Sequence, residues 1–425
     1  MPKIKYSFLG ATVFALIFFT LFIIRLEIFP GRQAQLPVVP LAAAQRPAES
    51  WLSIHQNNKK IGVVHRTFNV LEKGYRLGEN VFMQINTMGI TQTLTIAAEG
   101  DLNPDMTFSS FSFELNSSLF RFHARGYVVQ NKLILYTGVP GAQQKSEIVL
   151  REIPHLSSGI YEAAFRAALE KDMIRSFSIF DPSTLSLRSI QVTRNPDEII
   201  SVMGKRILTR KYCADFMGAK NCAWLDNNGD VLRETGILGL TMEKVSPEKA
   251  REGIAQYDGI DFTQIASLPA NVVIENAERL NLFKIKISGI SRRLLHLNGD
   301  RQNYRQEILT ITREETSNLQ FPLPDFPQHI AIFLQATPLV QAHHPLMKEQ
   351  VDKIIKSTDS AEQKLRKIIT WVYRNIDKKP VLSVPNALEV LKNKTGDCNE
   401  HAVLVAALLR TAGIPAQIET GLVYL

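Results

Sequence analysis

Between Trp51 and about Val245 the chain consists of short runs in which apolar and polar residues alternate, broken at close intervals by turn residues. A period of two sends successive side chains to opposite faces, which suits a strand and not an amphipathic helix. Lys60-Ile61-Gly62-Val63-Val64-His65 and Gln92-Thr93-Leu94-Thr95-Ile96 are such runs. Tyr127-Val128-Val129 is joined through Gln130-Asn131-Lys132 to Leu133-Ile134-Leu135-Tyr136. Asp226-Asn227-Asn228-Gly229-Asp230 lies between Trp224-Leu225 and Val231-Leu232, which signals a hairpin. As a calcium loop counted from Asp226 it would need glycine at its sixth position, where Val231 stands, so the turn reading prevails. The pattern predicts one helix among these strands, over 159–171. A second strand-rich stretch runs from about Phe262 to Thr312 and includes Asn271-Val272-Val273-Ile274. In Leu282-Phe283-Lys284-Ile285-Lys286-Ile287 the Lys/Ile alternation implies a sheet with one wet face.

A chain of 425 residues is too long for one ordinary domain. Its 45% hydrophobic and 21% charged content is that of folded protein. The net charge of +8 is modest for the length. From Gln341 to Thr395, eleven Lys/Arg face six Asp/Glu, an excess that a solvated helical face explains more simply than an acidic partner does. No basic patch is interleaved with aromatic residues, so a nucleic-acid partner is not expected.

Residues Phe8 to Ile24 form an uncharged, almost wholly apolar run that reaches Phe29 only by including Arg25 and Glu27. Its length is near the lower limit for a helix spanning a bilayer. The expectation is a transmembrane anchor over 8–29. Lys3 and Lys5 precede it, which puts the tail 1–7 in the cytoplasm and the rest of the chain outside. A cleaved signal peptide is the rival reading, with Ala42-Ala43-Ala44 as a cleavage site. Residues 30–49, with Pro30, Pro37, Pro40 and Pro47, read as an extended linker.

Of three cysteines, Cys213 and Cys222 flank a turn near Gly218 and can face each other across a hairpin; in an oxidising compartment they can pair. That leaves Cys398 as the odd thiol. His55, His65, His123, His155 and His296 are scattered singly without metal-ligand spacing, and no metal or cofactor site is expected. His343 and His344 precede Pro345 in an expected loop.

From Leu346 the period becomes helical. Leu365, Ile368, Ile369, Val372 and Ile376 share one face of a helix over 361–376, with Asp359 and Glu362 at capping-box spacing. Pro385 can open a short helix. Gly396-Asp397-Cys398-Asn399-Glu400-His401-Ala402 then runs into a helix that is apolar almost all round, ended by Gly413 and Pro415. Gln417 to Tyr424 reads as a strand. Asp397 is the expected N-cap, and Cys398 falls in the first turn, where unpaired N–H groups and the helix dipole favour a thiolate and can help hold an oxyanion. His401 lies one turn deeper and reads as a hydrogen-bonded core histidine.

The run GDCNEHAVLVAALLRTAGIPAQIETGLVY, approached by WVYRNI and PNALEVLKNKTGDC, resembles the nucleophile segment of the transglutaminase-like (papain-type) superfamily in its bacterial exported form. The resemblance implies that Cys398 is the catalytic nucleophile of a Cys-His-Asp triad whose histidine and aspartate follow on the next strands. The sequence ends at Leu425, before either, so the expectation is a truncated product, inactive as it stands. The implied fold class is α+β: a transmembrane helix, two strand-rich domains (50–250 and 260–330), then the N-terminal part of a papain-like domain (335–425). The implied function is hydrolysis or acyl transfer at amide bonds of an exported peptide or protein, by a protein held in a bacterial inner membrane with its bulk in the periplasm. Hydrolysis is expected ahead of cross-linking, because nothing suggests the calcium sites of animal cross-linking enzymes. The alternative is a non-catalytic, membrane-anchored β-rich binding or assembly protein with a degenerate thiol domain.

Overall fold

The computed structural model describes residues 49–118, 120–138, 143–216, 219–253, 261–287, 297–299, 301–314 and 328–424. The expected cytoplasmic tail, anchor and nearly all of the linker lie outside these residues.

Strands β1 (Glu49–Gln56), β2 (Lys59–Leu71), β3 (Gly74–Thr87), β4 (Ile90–Leu102), β5 (Phe108–Ser117), β6 (Arg121–Val129), β7 (Lys132–Thr137) and β8 (Gln144–Val149) pair as an antiparallel meander. The chain then crosses to the far edge at β9 (His155–Leu156). It returns in order through β10 (Ile174–Asp181), β11 (Ser186–Val202), β12 (Lys205–Phe216), β13 (Ala219–Leu225), β14 (Val231–Thr235) and β15 (Leu240–Val245). β15 pairs antiparallel with β1, joining the two halves into one 15-stranded sheet. So wide a sheet must twist and curl. Here β9 folds back on the start of β5, through a bridge between His155 and Thr107 and a hydrogen bond from Phe108 N to Pro154 O (3.0 Å).

The alternation read in the sequence is the alternation of the sheet's faces. Phe111, Phe113 and Leu115 of β5 turn into the main core, while Ser112 is exposed. The predicted helix becomes α1 (Ile160–Arg166), shorter than expected at its C-terminal end, where Ala168 and Asp172 take positive φ. All seven of its residues are buried, against the inner face of the sheet. The Asp226–Asp230 hairpin is present, its turn held by Asp226 Oδ1 accepting from Asn228 N (2.8 Å) and Asp230 N (2.9 Å). Cys213 and Cys222 are directly opposite on β12 and β13 and form a disulfide. They sit in a satellite cluster with Ile200, Val202, Trp224 and Leu232, while their neighbours Tyr212, Ala214 and Ala223 face the main core.

The α+β expectation is corrected. Strand accounts for 46% and helix for 23%, so the fold is strand-dominated. The second strand-rich region amounts to a three-stranded sheet, β16 (Leu282–Lys286), β17 (Gln302–Arg305) and β18 (Ile308–Thr312). Asn271–Ile274 is not a strand; Val272 and Val273 are 61% and 84% exposed, with no strand among the described residues paired to the segment. No helix among the described residues is long and apolar enough to cross a membrane. Residues 328–424 carry no papain-like sheet but are helical: α2 (Pro345–Ile354), α3 (Ala361–Asn375), α4 (Ala387–Asn393) and α5 (Cys398–Thr411), plus a two-residue parallel pair, β19 (Asp377–Lys378) with β20 (Thr395–Gly396). The run 417–424 is not a strand in the structure.

Inside the curled sheet lies an ionic cluster that the sequence does not announce. Arg66 of β2 faces Glu79 of β3 (Nη2–Oε2 2.7 Å) and comes within 3.8 Å of Glu162 on α1 and 3.5 Å of Glu234 on β14. Desolvation pulls the Arg66 pKa down, but the three carboxylates outweigh it and raise it. Burial pushes the Glu234 carboxyl up to about 7, with Glu79 and Glu162 adding to the rise and Arg66 opposing it. A carboxyl raised this way weighs on stability as pH climbs from its unfolded value towards 7, and fully above that. Replacing Arg66 by Met is therefore expected to destabilise the protein by about 3–5 kcal/mol at pH 8, and by less at pH 5, where the carboxyls take up protons. Urea unfolding at the two pH values checks this; an equal loss at both would show that Arg66 does not balance these carboxylates.

Candidate active site around Cys398

α5 is the centre of the second core. Val403, Leu404 and Ala406–Leu409 are buried against Met347 and Val351 of α2, Ile368 and Val372 of α3, and Val390 and Leu391 of α4. The amphipathic face predicted for α3 is present, although Ile369 at its margin is about half exposed. The capping box of α3 falls one residue later than expected, at Ser360 and Gln363, while Asp359 pairs with Lys367 (2.7 Å). α4 is capped by Asn386, whose Oδ1 accepts from Leu388 N (3.1 Å) and Glu389 N (3.3 Å). His343 and His344 are accounted for locally: His344 Nδ1 accepts from Leu346 N (3.2 Å) and caps α2, and His343 Nε2 lies 3.1 Å from Leu334 O.

The approach to α5 is fixed by β20, where Lys379 N donates to Gly396 O (3.1 Å). Asp397 is the N-cap, with Oδ1 accepting from Asn399 N (2.9 Å). Glu400 at the third helical position reaches back so that its Oε2 accepts from Asp397 N (2.9 Å), completing a capping box. Cys398 is the first residue of the helix, a free and exposed thiol. Because the Asp397 side chain also takes Glu400 N, the first-turn donor left outside the cap is the Cys398 amide itself.

His401 is half-buried, and its Nδ1 is 2.7 Å from Asp397 O. A carbonyl only accepts, so Nδ1 carries the proton and the ring is held in the helix, as the sequence suggested. Among the described residues no histidine makes a hydrogen bond with the Cys398 thiol, and no group of three His, Cys, Asp or Glu side chains is placed to hold a metal ion.

Two features of the site were missed in the sequence. One is the reason for Gly396. Its φ is not positive; instead, an added Cβ would lie 2.2 Å from Glu400 Cβ and 2.5 Å from Cγ. The glycine makes room for the returning glutamate. The other is the burial of Glu400, 1% exposed, which also accepts a hydrogen bond from Ser383 Oγ. Burial pushes its carboxyl up to about 7, the neighbouring Asp397 adds to the rise, and the bonds from Ser383 and Asp397 N oppose it. The Asp-x-x-Glu spacing of Asp397 and Glu400 was the available signal.

The site is thus an exposed cysteine opening a buried, capped helix. Residues 348–425 match the family model of the transglutaminase-like superfamily core, and the match takes in α3, α4 and α5 with Cys398. No curated protein matches the chain. Among solved structures, a β-barrel-like protein of a domain of unknown function (DUF1849) from Brucella abortus is 12% identical, with a TM-score of 0.37 over 47% of this chain and 95% of that one. A DUF1089 family protein from Pseudomonas aeruginosa is 9% identical, with a TM-score of 0.28 over 40% of this chain and 87% of that one.

Gly396→Ala is expected to cost about 1–3 kcal/mol, because either the Glu400 side chain or the helix start must move; the midpoint of urea unfolding measures it. Glu400→Gln keeps the cap and removes the titration. The wild-type protein should lose stability from Glu400 as pH rises from about 4.5 to 7, because its folded-state pKa is raised. The variant should gain on the wild type over that window by roughly 1–3 kcal/mol. Parallel stability curves for the two proteins from pH 4.5 to 8 would contradict this.

Proposed function

We propose that the protein is a thiol hydrolase or acyl-transferase of the transglutaminase-like type, acting on amide bonds of an exported peptide or protein through Cys398. The observation that carries this reading is the placement of the one unbridged cysteine, exposed, at the first residue of α5 and within the matched segment. Cys398 Sγ attacks the amide carbonyl, the C–N bond breaks, and the amine leaves with the proton given up by the thiol. The Cys398 amide, free of the cap, is positioned to stabilise negative charge on the carbonyl oxygen. The thioester is then released to water or to an amine.

The reading also places the folded part outside the cytoplasm, at a bacterial inner membrane to which the apolar run 8–24 attaches it. The Cys213–Cys222 bridge supports export, since such bonds persist in oxidising compartments. The run itself supports membrane attachment.

Incubation with an activated peptide ester should give a hydroxylamine-labile adduct on the intact protein, seen by mass spectrometry and absent from Cys398→Ala. An adduct of equal yield in that variant would remove Cys398 as the nucleophile, leaving the non-catalytic binding protein as the better reading.

A further inference from the structure

A groove of about 500 Å3 runs across β4, β5, β6 and β7 on the face of the sheet turned away from the main core. Tyr127 of β6 and Tyr136 of β7 line it, their rings stacked with centroids 6.4 Å apart and planes at 28°. Tyr127 is 43% exposed, although an inward position would bury it. The Arg125 guanidinium lies 5.2 Å from the Tyr136 ring centroid and donates to Gln143 Oε1 (2.9 Å), which holds the aromatic wall in place. On the opposite wall, Asp101 accepts from Arg76 Nε (2.7 Å) and Nη2 (3.2 Å) and from Ser110 Oγ (3.1 Å). Glu99 lies 3.3 Å from Arg76 Nε and is largely exposed, and Ser112 lies exposed between the walls. The volume is that of a site for a small organic ligand.

The chemistry narrows the ligand. β4, β5, β6 and β7 are each paired on both sides, so the groove has no free strand edge and a peptide cannot add to it as a further strand. Arg76 and Arg125 are balanced by Glu99 and Asp101. A nucleic acid or other polyanion would need an excess of cations that is absent here. What remains is a pair of fixed aromatic faces flanked by charged groups able to donate and accept hydrogen bonds. Aromatic faces carry negative potential and attract the positively polarised C–H face of a sugar ring. Carboxylates and a guanidinium are matched to its hydroxyls. We propose that this groove is a carbohydrate-binding site, taking an uncharged oligosaccharide whose rings stack on Tyr127 and Tyr136 while Glu99 and Arg125 hydrogen-bond its hydroxyls. The site is separate from Cys398 and stands independently of the reaction assigned to it.

The test is calorimetric titration of the full-length chain, in a sugar-free detergent, with chitotetraose and with maltotetraose. At least one should bind saturably. Tyr127→Ala and Tyr136→Ala should each weaken binding roughly tenfold, while the Phe variants, which keep the rings, should stay within about threefold of wild type. Ser112→Trp should abolish binding by filling the groove, and guards against a tyrosine variant that fails to fold. Saturable binding of neither sugar would overturn the proposal, as would wild-type affinity in the double alanine variant or in Ser112→Trp.

Discussion

A helix enclosed on every side brings its polar groups with it, and the walls must answer them. α1 carries Glu162 and Arg166 into the curl of the 15-stranded sheet, both nearly fully buried. Arg166 is met by Tyr75, whose hydroxyl accepts from Nη1 (2.8 Å) and whose ring centroid lies 4.0 Å from the guanidinium. Glu162 is met by Arg66, which also serves Glu79 and Glu234. Burial, with Glu79 and Glu162 adding to it and Arg66 opposing, leaves Glu234 with a raised pKa. Strands from both halves of the sheet, β2, β3 and β14, contribute to this one cluster.

The C-terminal unit repeats the problem on a smaller scale. α5 is buried along its length, and its ends carry the polar burden. At the C-terminal end Arg410 donates from Nη1 to Gln335 O (2.7 Å) and from Nε to Ala416 O (2.9 Å). At the N-terminal end Glu400 folds back to Asp397 N and Ser383. The cap satisfies three amides, those of Asp397, Asn399 and Glu400, and requires glycine at 396. Cys398 is then left exposed at the first residue of the capped helix. The two units touch: Val384 packs into the main core, Phe120 into the second, and Gln92 Nε2 donates to Pro380 O (3.2 Å).

Both faces of the sheet are put to use. The inner face surrounds α1, and the outer face holds the disulfide cluster on β12 and β13 and the tyrosine groove on β4 to β7. A strict period of two allows this division, because each strand supplies every second residue to each side.

The sequence by itself determined the features that depend on neighbours along the chain. The alternation between Trp51 and Val245, the Asp226–Asp230 hairpin, the face of α3, the Asp397 cap and the exposed start of α5 at Cys398 are local patterns, set by side-chain period and by hydrogen bonds spanning two to four residues. Reading failed where an element needs a distant partner. Asn271–Ile274 and Gln417–Tyr424 have strand-like residues but no ladder among the described ones, and backbone groups pair only where another strand is brought alongside. Tertiary structure alone decided that β1 meets β15, that Arg66 gathers glutamates from three other elements, that Glu400 is buried beneath Gly396, and that Tyr127 and Tyr136 share one groove with Glu99. Each of these contacts depends on how the whole sheet curls or how four helices pack, and burial of apolar area, which drives both, is a sum over the molecule that no short window of sequence contains.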